Sequence, residues 1–405
     1  MATVERRSVV AFLVLALLAF GCAIALPAYS AVRAGAGSSA VARFASSTGG
    51  ACSTAVARGR QLAGVKTAFV STAGGPNGVV STPDGKFSFL WLSSDHEAVF
   101  SDRAFAPASA RLIAMPAGLG VMGQTVTADG RYLLAASGDG AVVVSVQRAE
   151  DGRSNPVLGT LSAGSGSSGF GGFAINVVTA PDSAHAFVTV EYSHEIAVFD
   201  LRAAIASGFH GSHLLGTIPI PGLSVGLALS PDGKWLYATS EAGGGQTDPG
   251  AVSVIDVGRA EQEPSKAVVA TAAAGACGTV RDVVSADGQT LWVTARDSNQ
   301  LLAFSTAKLR SDPSHARIAA LTVGGSPEGL ALVNRGQRVI VADQASNGLT
   351  VVNTTAALAG KPAVLGTIKT GETPRDISLE PNGTTALVTN RQSRQLEAVN
   401  LAQLP

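Results

Sequence analysis

Three charged residues occupy the same place in three successive copies of a sequence repeat. They are Arg281, Glu328 and Arg375, and each stands where its copy begins a predicted strand. A guanidinium group binds a carboxylate or a phosphate through two parallel hydrogen bonds. A glutamate between two arginines can instead neutralise them, or act as a general base. The trio therefore predicts either a pocket for a small anionic or polar ligand, or an internally balanced charge cluster.

The strand that follows in the same three copies also ends in charged residues. These residues are Arg296 with Asp297, then Asp343, then Arg391. Their recurrence extends the predicted ligand-binding set beyond the first three residues, because both strand ends are expected on one face of the molecule.

The four earlier copies carry fewer charges at the start of the first strand. Their residues there are Asn77, Gly123, Ile175 and Val225. Asn77 joins the candidate ligand-binding residues, whereas the others predict an apolar side opposite the charged one.

Two histidines in equivalent positions suggest a metal site or acid–base chemistry. His96 and His194 each precede a glutamate and lie 12 residues after the turn residue of their copy. The equivalent positions in two later copies are Asn299 and Asn347, which are ordinary turn residues. Because nothing completes a set of metal ligands, we favour the interpretation that these histidines are turn substitutions.

Other motifs give weaker signals. "GSGSSG" at 164–169 resembles a phosphate-binding loop, but a strand-like "FAINVV" follows it where a helix is required. The chain contains no HExxH, no paired CxxC and no haem-attachment CxxCH. The sequence therefore predicts no cofactor.

A turn motif recurs along most of the chain. Its seven copies are "TPDGK" at Asp84, "TADGR" at Asp129, "APDSA" at Asp182, "SPDGK" at Asp232, "SADGQ" at Asp287, "VNRGQ" at Arg335 and "EPNGT" at Asn382. From 84 to 382 is 298 residues over six intervals, which gives a period of about 50 residues. Pro, Asp or Asn, and Gly each favour tight turns between strands.

Each turn lies between short strand-like segments. Apolar "GLALS" precedes the turn of the fourth copy, and "WLYATS" and "AVSVIDV" follow it. Six copies add a fourth segment, such as "VLGTIKTG". Four antiparallel strands per unit, repeated seven times, predict an all-β fold, a seven-bladed β-propeller.

The two ends of the repeat region complement each other. The seventh copy stops after its third strand, and "VKTAFVSTAGG" at 65–75 stands alone before the first copy. We expect this N-terminal strand to complete the last blade and close the ring, because closure removes two exposed sheet edges.

The composition excludes some partners. The 405 residues include 29 basic and 29 acidic side chains, so no field for nucleic acid is expected. Only 14% of residues are charged, 46% are hydrophobic and 47 are glycine. This composition is typical of many short buried strands joined by tight turns, and we expect a monomer.

The first thirty residues resemble a signal peptide. Arg6 and Arg7 precede the apolar run "SVVAFLVLALLAFGCAIAL", and small residues follow at Ala28 and Ser30. We predict export with cleavage after Ser30, to a secreted or extracytoplasmic location. The alternative is an uncleaved membrane anchor, since Val9 to Leu26 is 18 residues without a charge.

Residues 31–64 are small and polar without a period, and they predict a flexible tether before the propeller at 65–405. Once residues 1–30 are removed, Cys52 and Cys277 are the remaining cysteines. In an oxidising compartment they can form a disulfide or stay as two separate thiols.

"SPDGKWLYATS…AVSVIDV" and "PNGTTALVTN" resemble the YVTN-type (YncE-like) repeat. The resemblance covers residues 65–405 and implies a seven-bladed propeller, an architecture shared with lactonase-like propellers. Members of the family include exported proteins, binding proteins and some lactone hydrolases, so the resemblance does not decide the activity.

Two functions follow as expectations. The first is a ligand-binding or interaction scaffold that uses the loop face around the central channel, with a small polar molecule or a protein or cell-envelope partner. The second is a lactonase-type hydrolase, with Glu328 as the weak catalytic candidate beside Arg281 or Arg375.

Overall fold

Seven antiparallel sheets of four strands each surround a central channel in the computed structural model. The structure describes residues 52–93, 96–101, 111–115, 123–164, 172–241 and 249–405. The arrangement confirms the predicted seven-bladed β-propeller, and each sheet is one blade. The predicted signal peptide and the "GSGSSG" stretch from 165 onward lie outside the described residues.

The first strand of every blade lies next to the channel, where it contacts the first strands of the neighbouring blades. From blade 1 to blade 7 these strands are β2 (Pro76–Ser81), β6 (Gln124–Val126), β10 (Ala174–Thr179), β14 (Leu223–Leu229), β18 (Thr279–Val284), β22 (Pro327–Val333) and β26 (Pro374–Leu379).

The second and third strands form the middle of each blade and contribute most of the buried core. The second strands are β3 (Phe87–Leu92), β7 (Tyr132–Ser137), β11 (His185–Val190), β15 (Trp235–Glu241), β19 (Thr290–Ala295), β23 (Arg338–Asp343) and β27 (Thr385–Asn390). The third strands are β4 (His96–Ser101), β8 (Gly140–Ser145), β12 (Glu195–Asp200), β16 (Pro249–Asp256), β20 (Gln300–Ser305), β24 (Gly348–Asn353) and β28 (Gln395–Asn400).

The fourth strands form the outer edges of the blades. In blades 1 to 6 they are β5 (Arg111–Ala114), β9 (Val157–Ser162), β13 (Leu214–Pro219), β17 (Val268–Cys277), β21 (Arg317–Thr322) and β25 (Val364–Lys369). In blade 7 the N-terminal strand β1 (Thr67–Ser71) takes this place.

The pairing of β1 with β28 closes the ring. It is antiparallel and runs from Thr67 opposite Val399 to Ser71 opposite Gln395. The lone segment near residue 70 and the C-terminal strand therefore form one sheet, as the sequence predicts.

The recurrent turns have the predicted geometry. In blade 4, Asp232 Oδ1 accepts a hydrogen bond from Ser230 Oγ at 2.5 Å and from the Lys234 amide at 3.2 Å. Gly233 follows with a φ of 70°, in the left-handed region that glycine adopts without a steric penalty.

Among the described residues, five short helices follow third strands, and the repeat pattern did not predict them. They are α1 (Val146–Glu150), α2 (Leu201–Ala206), α3 (Val257–Ala260), α4 (Thr306–Ser311) and α5 (Thr354–Leu358). The residue before each helix is Ser, Asp or Asn, and its side chain accepts a hydrogen bond from a first-turn amide, as Asp200 does from Ala203. In the part of the chain that the structure describes, no helix is long and apolar enough to cross a membrane.

Residues 52–62 run along the outer edges of blades 4 to 6, and we call this segment the strap. A disulfide joins Cys52 to Cys277 at the end of β17, with the Cα atoms 5.7 Å apart. The Ala57 amide donates to the Val323 carbonyl, and Gln61 forms a parallel bridge with Thr367. The described part of the expected tether is thus bonded to three successive blades.

Buried threonines join neighbouring blades close to the channel. Thr239 Oγ1 accepts a hydrogen bond from the Gly226 amide of its own blade at 2.9 Å and donates to the Val280 carbonyl of the next blade at 3.2 Å. Thr189, Thr294 and Thr389 make the same pair of bonds in blades 3, 5 and 7. Each hydroxyl satisfies two backbone groups that have no partner within the sheet.

We expect Thr239→Val to lower the free energy of unfolding by about 1–3 kcal/mol, since it leaves a buried amide and a buried carbonyl unpaired. Thr239→Ser keeps the hydroxyl and is expected to lose less. Urea denaturation measures both, with the exposed Thr160→Val as the control, which should change stability by about 0.5 kcal/mol or less. Equal losses for Thr239→Val and Thr160→Val would refute the bridging role.

Candidate functional site

The starts of the first strands form a ring of residues around one end of the channel, and we call this ring the mouth. Its members, from blade 1 to blade 7, are Asn77, Gly123, Ile175, Val225, Arg281, Glu328 and Arg375. The predicted charged trio therefore comes from three adjacent blades. Glu328 is buried, and Arg281 and Arg375 are partly buried.

Arg296 is the most heavily paired residue of the mouth region. Its guanidinium group contacts Glu241 at 2.7 Å, and Asp297 and Glu328 at 3.3 Å each. These three carboxylates raise the pKa of Arg296, although its burial acts in the opposite direction. Arg296 therefore keeps its charge and is occupied by protein carboxylates.

Glu191 and Glu241 belong to the same cluster, and the sequence analysis missed them. Burial raises the pKa of Glu191, and it raises the pKa of Glu241 to about 7 against the attraction of Arg296. A sequence signal was present, because Glu191, Glu241, Arg296 and Arg391 all stand two residues after a blade-bridging threonine. Residues two apart on a strand point to the same side.

Of the other arginines, Arg281 belongs to blade 5, and Arg375 and Arg391 belong to blade 7. Burial lowers the pKa of Arg375, and Arg281, Arg391 and Arg296 lower it further, while Glu328 acts in the opposite direction. Among the described residues, Arg281 and Arg391 form no salt bridge. The mouth thus has an acidic side from blades 3 to 5 and a basic side from blades 5 to 7.

The predicted apolar residues of the mouth lie in blades 3 and 4, which also supply carboxylates to it. Ile175, Val225 and Val280 form a small buried cluster, and Phe173 packs against it. The Phe173 ring lies 6.1 Å from that of Tyr192. Blades 3 and 4 therefore offer a ligand at the mouth both hydrocarbon and carboxylates.

Asp343 does not lie with the other predicted residues, whereas Asn77 is buried at the mouth. Asp343 is the last residue of β23, whereas Arg296 and Arg391 follow the last residue of their strands. This shift of one residue turns Asp343 to the other face of its sheet, where it contacts Thr350 at 2.6 Å. Asn77 is buried at the mouth, and its carbonyl accepts a hydrogen bond from Thr389 of blade 7.

A cavity of about 120 Å³ lies directly beneath the mouth. Polar residues that immediately follow mouth residues line it, namely Gln124, Asn176, Asp282 and Asp376. Burial raises the pKa of both aspartates, although Arg281 opposes this. These residues were not predicted as site residues, because the prediction took one residue at the start of each first strand and they come one position later.

Acceptor atoms dominate this cavity. Both carboxylate oxygens of Asp282 and the Gln124 Oε1 are buried without a hydrogen-bond partner among the described residues. Asp282 has room because blade 4 carries Gly226, where a Cβ would lie 2.6 Å from Asp282 Oδ1. A ligand that enters past the arginines of the mouth can donate hydrogen bonds to these oxygens.

The two histidine candidates do not form a metal site. His194 has a φ of 56°, like Asn299 and Asn347 at 52° and 50°. Its Nδ1 lies 2.8 Å from the Gly222 carbonyl, on the segment that leads into the next blade. The side chain of Asn347 also contacts the segment that leads into its next blade, where its Oδ1 accepts a hydrogen bond from the Thr373 amide. His96 begins β4 in blade 1, which is not adjacent to the blade 3 that carries His194. The described residues contain no group of three or more His, Cys, Asp or Glu side chains able to hold a metal.

Comparisons with known proteins support the fold alone. No family model matches the chain, and no curated protein matches it either. A chain of hydrazine synthase from Kuenenia stuttgartiensis is similar in structure, with a TM-score of 0.64 and 17% sequence identity, over 82% of this chain and 96% of that chain. This likeness supports a β-propeller scaffold.

We expect the unfolding free energy of Glu241→Gln, relative to the unchanged protein, to rise by about 2–3 kcal/mol between pH 5 and pH 8. Folding raises the pKa of Glu241 from 4.5 to about 7, so the folded state binds more protons in this window and loses stability as pH rises. Denaturation at several pH values measures this, with the exposed Glu372→Gln as control. Parallel pH profiles for the two variants would contradict the expectation.

Proposed function

We propose that the protein is an exported, YVTN-type binding propeller that holds a small anion at the basic side of its mouth. The observation that carries the proposal is that Arg281, Arg391 and Glu328 all act electrostatically on Arg375, while Glu328 Oε1 is already 3.3 Å from Arg296. Three carboxylates contact Arg296, whereas Arg281 and Arg391 form no salt bridge among the described residues. Guanidinium groups in a partly buried site favour a carboxylate or a phosphate.

The cavity beneath the mouth supports the same proposal. Its acceptor oxygens suit a ligand that carries hydroxyl or amino groups in addition to its anionic group. The apolar cluster around Ile175 and Val225 offers contact to the hydrocarbon part of such a ligand.

The lactonase alternative receives less support from the geometry. A general base must be free to accept a proton, and Arg296 holds Glu328 as an ion pair. We therefore favour binding over hydrolysis. Turnover of simple lactones that disappears in Glu328→Gln would reverse this choice.

Binding of citrate and inorganic phosphate to the purified protein, measured by calorimetry, tests the proposal. We expect Arg281→Gln and Arg391→Gln each to weaken binding about tenfold or more, because each removes a charged hydrogen bond. Arg202→Gln is the control, since Arg202 follows a third strand on the opposite face and is exposed. Unchanged affinity in the mouth variants, or no binding of either probe, would contradict the proposal.

Export is the second part of the proposal, and the apolar run behind Arg6 and Arg7 supports it. The disulfide between Cys52 and Cys277 suits an oxidising compartment. We expect N-terminal sequencing of the protein from the producing cell to begin at Ala31. A sequence that begins at Met1 would favour the anchored form.

A further inference from the structure

A larger cavity, of about 470 Å³, lies between the strap and blade 6, away from the mouth. Strap residues from Ala57 to Gln61 form one wall, and Asp343, Asn347 and the end of β25 form the other. It shares no lining residue with the cavity beneath the mouth. Its volume lies in the range of small-molecule sites.

The base of this strap cavity contains a buried carboxylate. Asp343 is 1% exposed, and its Oδ2 accepts a hydrogen bond from Thr350 Oγ1 at 2.6 Å. Its Oδ1 has no partner among the described residues. A buried acceptor without a donor is costly, so this oxygen suits a ligand that brings a donor with it.

The rim of the cavity carries two cations. Arg58 on the strap and Lys369 at the end of β25 both line it, and both are exposed. Neither side chain forms a hydrogen bond or a salt bridge with any residue that the structure describes. The base of the cavity therefore offers a carboxyl group, whose pKa burial raises to about 7, and the opening offers two positive groups.

The strap is held firmly enough to keep this arrangement. The disulfide to Cys277 fixes one end, and the Leu62 amide donates to the Thr367 carbonyl at 2.8 Å near the other. The Thr367 amide donates to the Arg60 carbonyl at 2.9 Å. The cover of the cavity is thus ordered before any ligand arrives, which reduces the entropy lost on binding.

We propose that the strap cavity binds a small bipolar molecule of the amino-acid type. Its ammonium group donates to Asp343 Oδ1, and its carboxylate lies between Arg58 and Lys369. The arrangement is independent of the anion proposed for the mouth, because the two sites share no residue.

Calorimetry with a series of amino acids of increasing length tests the proposal. The probes are glycine, β-alanine, 4-aminobutyrate and 6-aminohexanoate, with butylamine and butyrate as probes that carry one charge each. We expect at least one amino acid to bind about tenfold or more tightly than either single-charge probe, since both ends gain a charged contact.

The variants assign each end of the ligand. We expect Asp343→Asn to weaken amino-acid binding about tenfold or more, and Arg58→Gln to weaken it while leaving butylamine binding unchanged. Asp343→Asn should fold, because Asn390 occupies the equivalent position in blade 7 and bonds Glu397 there at 2.8 Å. Arg58→Gln alters an exposed side chain and provides a second test. The exposed Asp84→Asn is the matched control.

Three results would overturn the proposal. They are no binding of any amino acid at millimolar concentration, equal affinity for butyrate alone, and unchanged affinity in Asp343→Asn.

Discussion

The pairing of one N-terminal strand with the C-terminal strand is the constraint on which the rest of the structure depends. Without β1 beside β28, blade 7 would expose the long edge of an apolar sheet and would lose the strand from which the chain enters blade 1. The mouth draws on both sides of this closure, since Thr389 of blade 7 donates to the Asn77 carbonyl of blade 1. The strap strengthens the closure, because a covalent bond to Cys277 joins the chain before β1 to blade 4.

The cost of burying charge explains how the mouth is arranged. Four carboxylates lie near Arg296, and burial keeps the pKa of Glu191 and Glu241 above its ordinary value. Glu328 stands between this acidic group and the arginines of blades 5 and 7. The mouth therefore has carboxylates around Arg296 and arginines in blades 5 and 7, and the proposed anion site rests on this separation of charge.

The candidate site was predictable in part. The ring of first-strand residues followed from the repeat alone, because equivalent positions in successive blades must meet around the axis. Asp343 shows the limit of that reasoning. A shift of one residue along a strand reverses the side on which a side chain lies, and the equivalent turn residues Asn299 and Asn347 align Asp343 with Ala295 and not with Arg296. Asp282 and Gln124 were not predicted, because the prediction stopped at the preceding residues, Arg281 and Gly123.

The sequence by itself determined the number of blades, the order of their strands and the closing partner. It could do so because turns recur at a nearly constant interval and because open sheet edges are unfavourable. Only the tertiary structure decided which charges meet. Arg296, Glu241 and Glu328 come from three blades, and their contacts depend on the angle and spacing between sheets, which no local pattern encodes. The strap cavity likewise exists only because a segment without strand pattern is bonded across blades 4 to 6, and those contacts join residues hundreds of positions apart.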